Sequence, residues 1–127
     1  MTAPELSVVV PVHNEEANIA PLVGEIVAAL RGRIPFEIVY VDDLSRDGSV
    51  AALQALQKTT PELRVIRHLQ QSGQSTAIRN GVKAARGAWI ATLDGDGQND
   101  PADIPKLIAM RDASPPAIGR ASCRERV

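Results

Sequence analysis

Aromatic side chains are nearly missing from this chain. One Trp, one Tyr and one Phe make up 2% of 127 residues, so a core must be built from Val, Ile, Leu and Ala within a hydrophobic content of 44%. Cysteine is as scarce: the single Cys123 excludes an internal disulfide. Neither charge sign dominates, and a net charge of -1 gives no electrostatic reason to expect nucleic acid or an anionic membrane as partner. No apolar run approaches the ~20 residues needed to cross a bilayer. The N-terminus lacks the basic start and long apolar stretch of a signal peptide, so the segment reads as cytoplasmic. Glycine motifs for phosphate are missing too. The turn after the first apolar run is "PVHNEE", where a dinucleotide site wants G-x-G-x-x-G, and there is no P-loop. The length allows one domain at most, or a fragment of a larger one.

What is present is an alternation. "LSVVVPV" (Leu6 to Val12) is a continuous β-branched run, as for a strand buried on both faces. Ile19, Leu22, Val23, Ile26, Val27 and Leu30 then form one apolar helical stripe, with Asn14 as a cap and Gly32 as a stop. Strands are predicted at Phe36 to Val41, Leu63 to Leu69 and Ala88 to Leu93. Helices are predicted around Val50, Leu53 and Leu56, and along Ala77, Ile78, Gly81, Val82 and Ala85, the latter stopped by Gly87. A last helix is expected from Pro101, capped by Asp100, with Ile104, Leu107 and Ile108 inward. The order β-α-β-α-β-α-β-α implies a three-layer α/β/α fold with a mostly parallel sheet. With strand order 3-2-1-4, the first and fourth strands are neighbours, and a ligand is expected beyond the strand ends there.

The polar residues cluster at those ends: "HNEE", "DDLSRDGS" and "DGDGQND". Acids that line a phosphate-binding site need a divalent cation between the two negative partners. Asp94 and Asp96 are hard oxygen donors suited to Mg2+ or Mn2+, and Gln98 adds a neutral oxygen at the same spacing. Gly95 and Gly97 allow close ligand approach. A calcium EF-hand is excluded, since it would need Gly at Asn99, Glu at Pro105 and a preceding helix. The bland reading of such a stretch is a solvated acidic turn. A place opposite two other acidic loops favours a cation site.

These segments together resemble glycosyltransferase family two, the inverting nucleotide-sugar transferases of the GT-A fold. "VVVPVHNEEANI" is similar to the family's opening strand and P-x-x-N-E turn, and "IVYVDDLSRDGS" to its VDDGSxDxS segment, with Leu44 in place of the usual Gly. "GQSTAIRNGVKAARGAWIATLDGDGQNDP" resembles its G-x-x-x-A-x-x-x-G run and D-x-D. "LDGDGQNDPADIPKL" is most like the polyprenyl-phosphate, dolichyl-phosphate mannose synthase-like branch. His13 stands where Tyr is common, and Gly95 where Ala is.

The resemblance implies a UDP- or GDP-sugar donor, a polyprenyl-phosphate acceptor and a part in building cell-envelope glycans. It implies that Pro11, Val12, His13 and Glu15 line the nucleoside pocket. Asp42 would accept from a base N–H, with Asp43 near the ribose or supporting its loop. Gly73 would bring backbone near the nucleotide and Arg79 would offer charge to it, although alone Arg79 reads equally as a solvent-facing arginine. By the same resemblance Asp94 and Asp96 would act as catalytic metal-holding acids, and Asp94, Gly95 and Asp96 would also contact the nucleotide-sugar. Trp89 reads as a packing residue rather than a sugar platform. Two rivals stand beside this reading. One is a polysaccharide-extending member of the same family, which would need a downstream Q-x-x-R-W element. The other is a non-catalytic nucleotide- or metal-binding module.

The last ten residues, "IGRASCRERV", differ from the rest. They carry three arginines against one glutamate, net +2, with no helical or strand period. They also resemble one reading frame of a common sequencing-library adapter. The expectation is that residues 118–127 are adapter-encoded and non-native, and that the gene continues beyond Ala117. Residues 1–117 are then the donor-binding half of a transferase domain, inactive alone. Contact with the inner face of the cytoplasmic membrane would come through the missing part.

Overall fold

The computed structural model describes residues 4–93, Ile104, and the backbone of residues 122–125. The expected fourth helix, apart from Ile104, lies outside the described residues.

β1 (Leu6–Val12) and β2 (Phe36–Asp42) are buried along their whole length. Both faces of the sheet are therefore covered, as the unbroken apolar runs require. Side chains alternate across β1 with period two. Leu6, Val8, Val10 and Val12 enter a core with Ile19, Leu22, Val23, Ile26 and Leu30 of α1 (Glu16–Leu30) and Leu53 of α2 (Ser49–Gln57). Val9 enters a smaller core on the other face with Val39, Val41, Ile90 and Ala77 of α3 (Gln74–Ala84). That second layer sits close because α3 carries Gly81, where a Cβ would collide with the Val9 side chain. Trp89 is half-buried against the larger core, a packing residue as expected.

β3 (Leu63–Arg67) and β4 (Trp89–Thr92) complete the parallel part. The sheet order is β3-β2-β1-β4-β5, so the expected 3-2-1-4 arrangement holds. β1 pairs with β2 from Leu6↔Phe36 to Val12↔Asp42, and with β4 from Leu6↔Trp89 to Val9↔Thr92. The winding reverses between β1 and β4, which puts a crevice at their carboxyl ends.

At the opposite end of the sheet a buried polar knot ties four segments. Glu37 accepts from Ser7 Oγ (2.5 Å), Arg86 N (2.6 Å) and Arg64 Nη1 (2.7 Å), while Ser7 Oγ accepts from Gly87 N (2.8 Å). Burial pushes the Glu37 carboxyl up, but these donors outweigh it and hold the group below its ordinary value.

Four local expectations are corrected. Asn14 does not cap α1: Glu15 is the capping residue, and Asn14 sits at φ 54° with its side chain reaching the next loop. β3 ends at Arg67, and Leu69 is 96% exposed, because the chain turns away once His68 N has bonded Asp42 O. Gly87 does not stop α3, which ends at Ala84; a Cβ there would lie 2.7 Å from Ser7 N, so the glycine permits close passage over β1. Finally, Ser122–Glu125 forms β5, antiparallel to β4, although its sequence has no strand period. Edge pairing uses backbone groups alone and needs no side-chain pattern.

Candidate functional site at the strand ends

The ends of β1 and β2 are joined before any side chain acts, since Asp43 N donates to Val12 O at 2.8 Å. His13 Nδ1–H donates to Asp43 O at 2.7 Å, with Asn14 Nδ2 3.2 Å from the other ring nitrogen. Asn14 bridges the two loops, its N–H on Ser45 Oγ (2.9 Å) and its Oδ1 on Arg46 N (2.7 Å). Both loops use the left-handed backbone region, at Asn14 (φ 54°) and Leu44 (φ 57°). Asn adopts that region readily, whereas Leu is strained there.

The neighbouring aspartates at the end of β2, Asp42 and Asp43, have different surroundings. Asp42 is 1% exposed; its Oδ2 accepts from Ser45 N at 3.0 Å, and its Oδ1 has no partner among the described residues. Asp43 is buried and fully engaged. Its Oδ1 accepts from Ser72 N (2.7 Å) and His68 Nδ1 (2.8 Å), and its Oδ2 from Gly73 N (2.9 Å). Burial pushes this carboxyl up, and the three donors together pull it below its ordinary value. Of the two roles expected for Asp43, loop support is therefore the one its geometry displays.

Gly73 is the N-cap of α3 at φ 92°, with open space where a Cβ would go, so conformation rather than crowding requires glycine. Arg79 is exposed on α3, and its side chain makes no hydrogen bond or ion pair with the described residues. Pro11 and Val12 are buried at the end of β1, and Glu15 Oε2 accepts from Asn18 Nδ2 at 2.8 Å. Beyond β4, Leu93 N donates to Val9 O at 3.0 Å. Asp94, Gly95, Asp96 and Gln98 follow and lie outside the described residues, so the proposed cation ligands have no geometry here. Among the described residues no group of three or more His, Cys, Asp or Glu is placed to hold a metal.

Residues that the sequence did not single out also build this end. Ser49 Oγ accepts from Glu15 N (3.2 Å), Ser45 receives Asn14, and His68 and Asn80 meet at 2.9 Å. The serines stand in a turn-rich, Asp-containing segment whose capping chemistry was legible. Nothing local marks His68 or Asn80, whose partners come from other elements.

A cavity of about 650 Å³ lies elsewhere, among Ile34, Phe36, Glu37, Glu62, Arg64 and Arg86 at the amino ends of the strands. Volume alone would nominate it. Two of its three arginines, Arg31 and Arg64, are already paired with Glu62 and Glu37, and parallel sheets bind ligands at the carboxyl ends of the strands.

Comparison with known proteins identifies the family. Dodecaprenyl-phosphate galacturonate synthase of Rhizobium johnstonii is 41% identical over 107 residues, 83% of this chain and 32% of that protein. Dolichol-phosphate mannosyltransferase of Saccharomyces cerevisiae is 35% identical over 106 residues, 82% of this chain and 40% of that protein. The mannosyltransferase PcManGT from Pyrobaculum calidifontis, solved with GDP-Man and Mn2+, superposes with a TM-score of 0.76 at 25% identity, over 91% of this chain and 34% of that one. TarS of S. aureus, solved with UDP-GlcNAc, gives 0.75 at 24% identity and shares the fold, over 86% of this chain and 31% of that one. The chain thus spans about a third of the length of such relatives. The family model described as "Glycosyl transferase family 2" matches residues 7–124. This chain belongs to glycosyl transferase family 2.

Proposed function

We propose that the strand-end site binds a nucleotide-diphosphate sugar, UDP- or GDP-linked, as the donor half of an inverting transferase whose acceptor is a polyprenyl phosphate. The observation that carries this reading is Asp42: a buried side chain with one oxygen unpartnered among the described residues, at the crevice end of β2 and in register with Val12 of β1. A buried acceptor without a donor is costly, and a base N–H would satisfy it. The names of the relatives support the acceptor class.

In this reading Pro11, Val12, His13 and Glu15 border the nucleoside, and Asp43 and Gly73 shape the loop beside it. The donor set Asp94, Asp96 and Gln98, all oxygen, fits Mg2+ or Mn2+. Such a cation would offset the negative charge developing on the leaving diphosphate. A phosphate acceptor already carries negative charge, so attack at the anomeric carbon does not require a strong base on this chain. We also propose that residues 118–127 are non-native and that residues 1–117 alone transfer no sugar. Adapter-free resequencing of the locus and a transfer assay check these two points.

Titration calorimetry with UDP and GDP, with and without Mn2+, tests the site. Binding should require the metal and be lost in Asp96→Ala and Asp42→Asn. Binding unchanged by Asp96→Ala would remove the metal assignment; binding unchanged by Asp42→Asn would remove the base contact.

A further inference from the structure

Three elements meet at Asp43 through a relay that the donor-site reading leaves unused. His68 follows β3, its main-chain N–H bonds Asp42 O at 2.8 Å, and its Nδ1 donates to Asp43 Oδ1 at 2.8 Å. Its second ring nitrogen, Nε2, accepts from Asn80 Nδ2 of α3 at 2.9 Å. The ring is thus held at both nitrogens, and a ring so held has one orientation. The His68 and Asp43 side chains are 9% and 6% exposed, so water competes little for these bonds. The same carboxylate holds the amides of Ser72 and Gly73. Those amides open α3, and Gly73 at φ 92° has no side chain of its own to fix the turn.

We propose that His68 and Asn80 are positioning residues for the nucleotide site: by orienting the Asp43 carboxylate they fix the Ser72–Gly73 turn against the end of β2. This rests on the donor-site reading above. A ligand seated at Asp42 meets a β3–α3 loop whose place is set one residue away, at Asp43. Loosening the relay lets that loop wander, and binding must then order it.

The test measures GDP and UDP binding with Mn2+, alongside amide hydrogen exchange at Ser72 and Gly73. His68→Ala should weaken binding about tenfold and speed exchange at both amides. His68→Asn should recover most of both, because its amide nitrogen occupies the δ position from which Nδ1 donates. Should His68→Ala fail to fold, Asn80→Ala, at a half-buried site, is expected to weaken binding about threefold with faster exchange. Wild-type affinity in His68→Ala, or in Asn80→Ala where that variant stands in for it, overturns the proposal. So does equal loss in His68→Ala and His68→Asn with Ser72 and Gly73 still protected. If the wild-type chain binds neither nucleotide, the donor-site reading falls; protection at Ser72 and Gly73 lost in His68→Ala would then leave a structural clamp alone.

Discussion

Glu16 and Asp47 cap each other's helices. Asp47 Oδ2 accepts from Glu16 N, the first residue of α1, at 3.3 Å, and Glu16 Oε1 accepts from Gly48 N, the N-cap of α2, at 2.9 Å. Each acid also sits where a helix dipole favours negative charge. The exchange draws together the starts of both helices on one face of the sheet. A Cβ at position 48 would lie 2.6 Å from Glu16 Oε2. Gly48→Ala should therefore displace Glu16 and cost about 1 kcal/mol, the value of a helix cap. In a Glu16→Ala background the same change should cost nearly nothing. A double-mutant cycle by urea denaturation measures this, and equal costs in both backgrounds would refute the reciprocal cap.

Leu44 holds φ 57° without being glycine. The left-handed region costs an ordinary residue roughly 1–2 kcal/mol, partly offset by the extra unfolded-state freedom of glycine. Leu44→Gly should raise stability by about 0.5–1 kcal/mol, and Leu44→Val should lower it. A drop in stability for the glycine variant would show that the leucine side chain's contacts outweigh its strain.

Tyr40 is fully buried, and its hydroxyl has no partner among the described residues. Burial pushes its ionisation well above the ordinary value of 10.0. Tyr40→Phe removes an unsatisfied group at little cost in shape, so stability should rise by about 1 kcal/mol. Loss of stability on thermal or urea unfolding would mean that the hydroxyl is satisfied in solution.

Acid should unfold the protein through its buried carboxylates. Asp43 and Glu37 are held below their ordinary values of 3.8 and 4.5 by the donors described. A depressed folded value means that the unfolded chain binds protons first as pH falls. Their contribution is complete above about pH 5 and declines as pH drops through the folded values. Stability measured from pH 7 downward should stay flat and then fall, and Glu37→Gln should shrink the acid-side slope. A slope unchanged in that variant would refute Glu37's share.

The layers and strand order were legible because apolar runs and helical stripes report burial directly. Leu6 to Val12 gave β1 to the residue, and Ile19 to Leu30 gave the inner face of α1. Leu69 misled because an apolar residue after a strand looks like its continuation, whereas the strand ends at Arg67 and Leu69 is exposed. Asn14 read as a cap from its place before a helix, yet its side chain serves the loop after β2, 32 residues on at Arg46. Gly87 read as a helix stop, although its reason is β1 passing beneath it. At the site, only the family resemblance gave Asp42 and Asp43 different roles; nothing in the residues themselves separates them. Only the Ser72, Gly73 and His68 donors, 25 to 30 residues away, separate the engaged acid from the open one.

Gly87 bonds Ser7 across 80 residues, and β1 takes its second neighbour from β4. The central strand is thus synthesised some 80 residues before its second neighbour. At 5–20 residues per second, β1 waits roughly 4–16 s with one edge bare. Throughout that interval an apolar strand with open hydrogen-bonding groups can recruit the wrong partner. Yield from cells should therefore respond to translation speed and chaperone supply more than to the stability of the finished sheet.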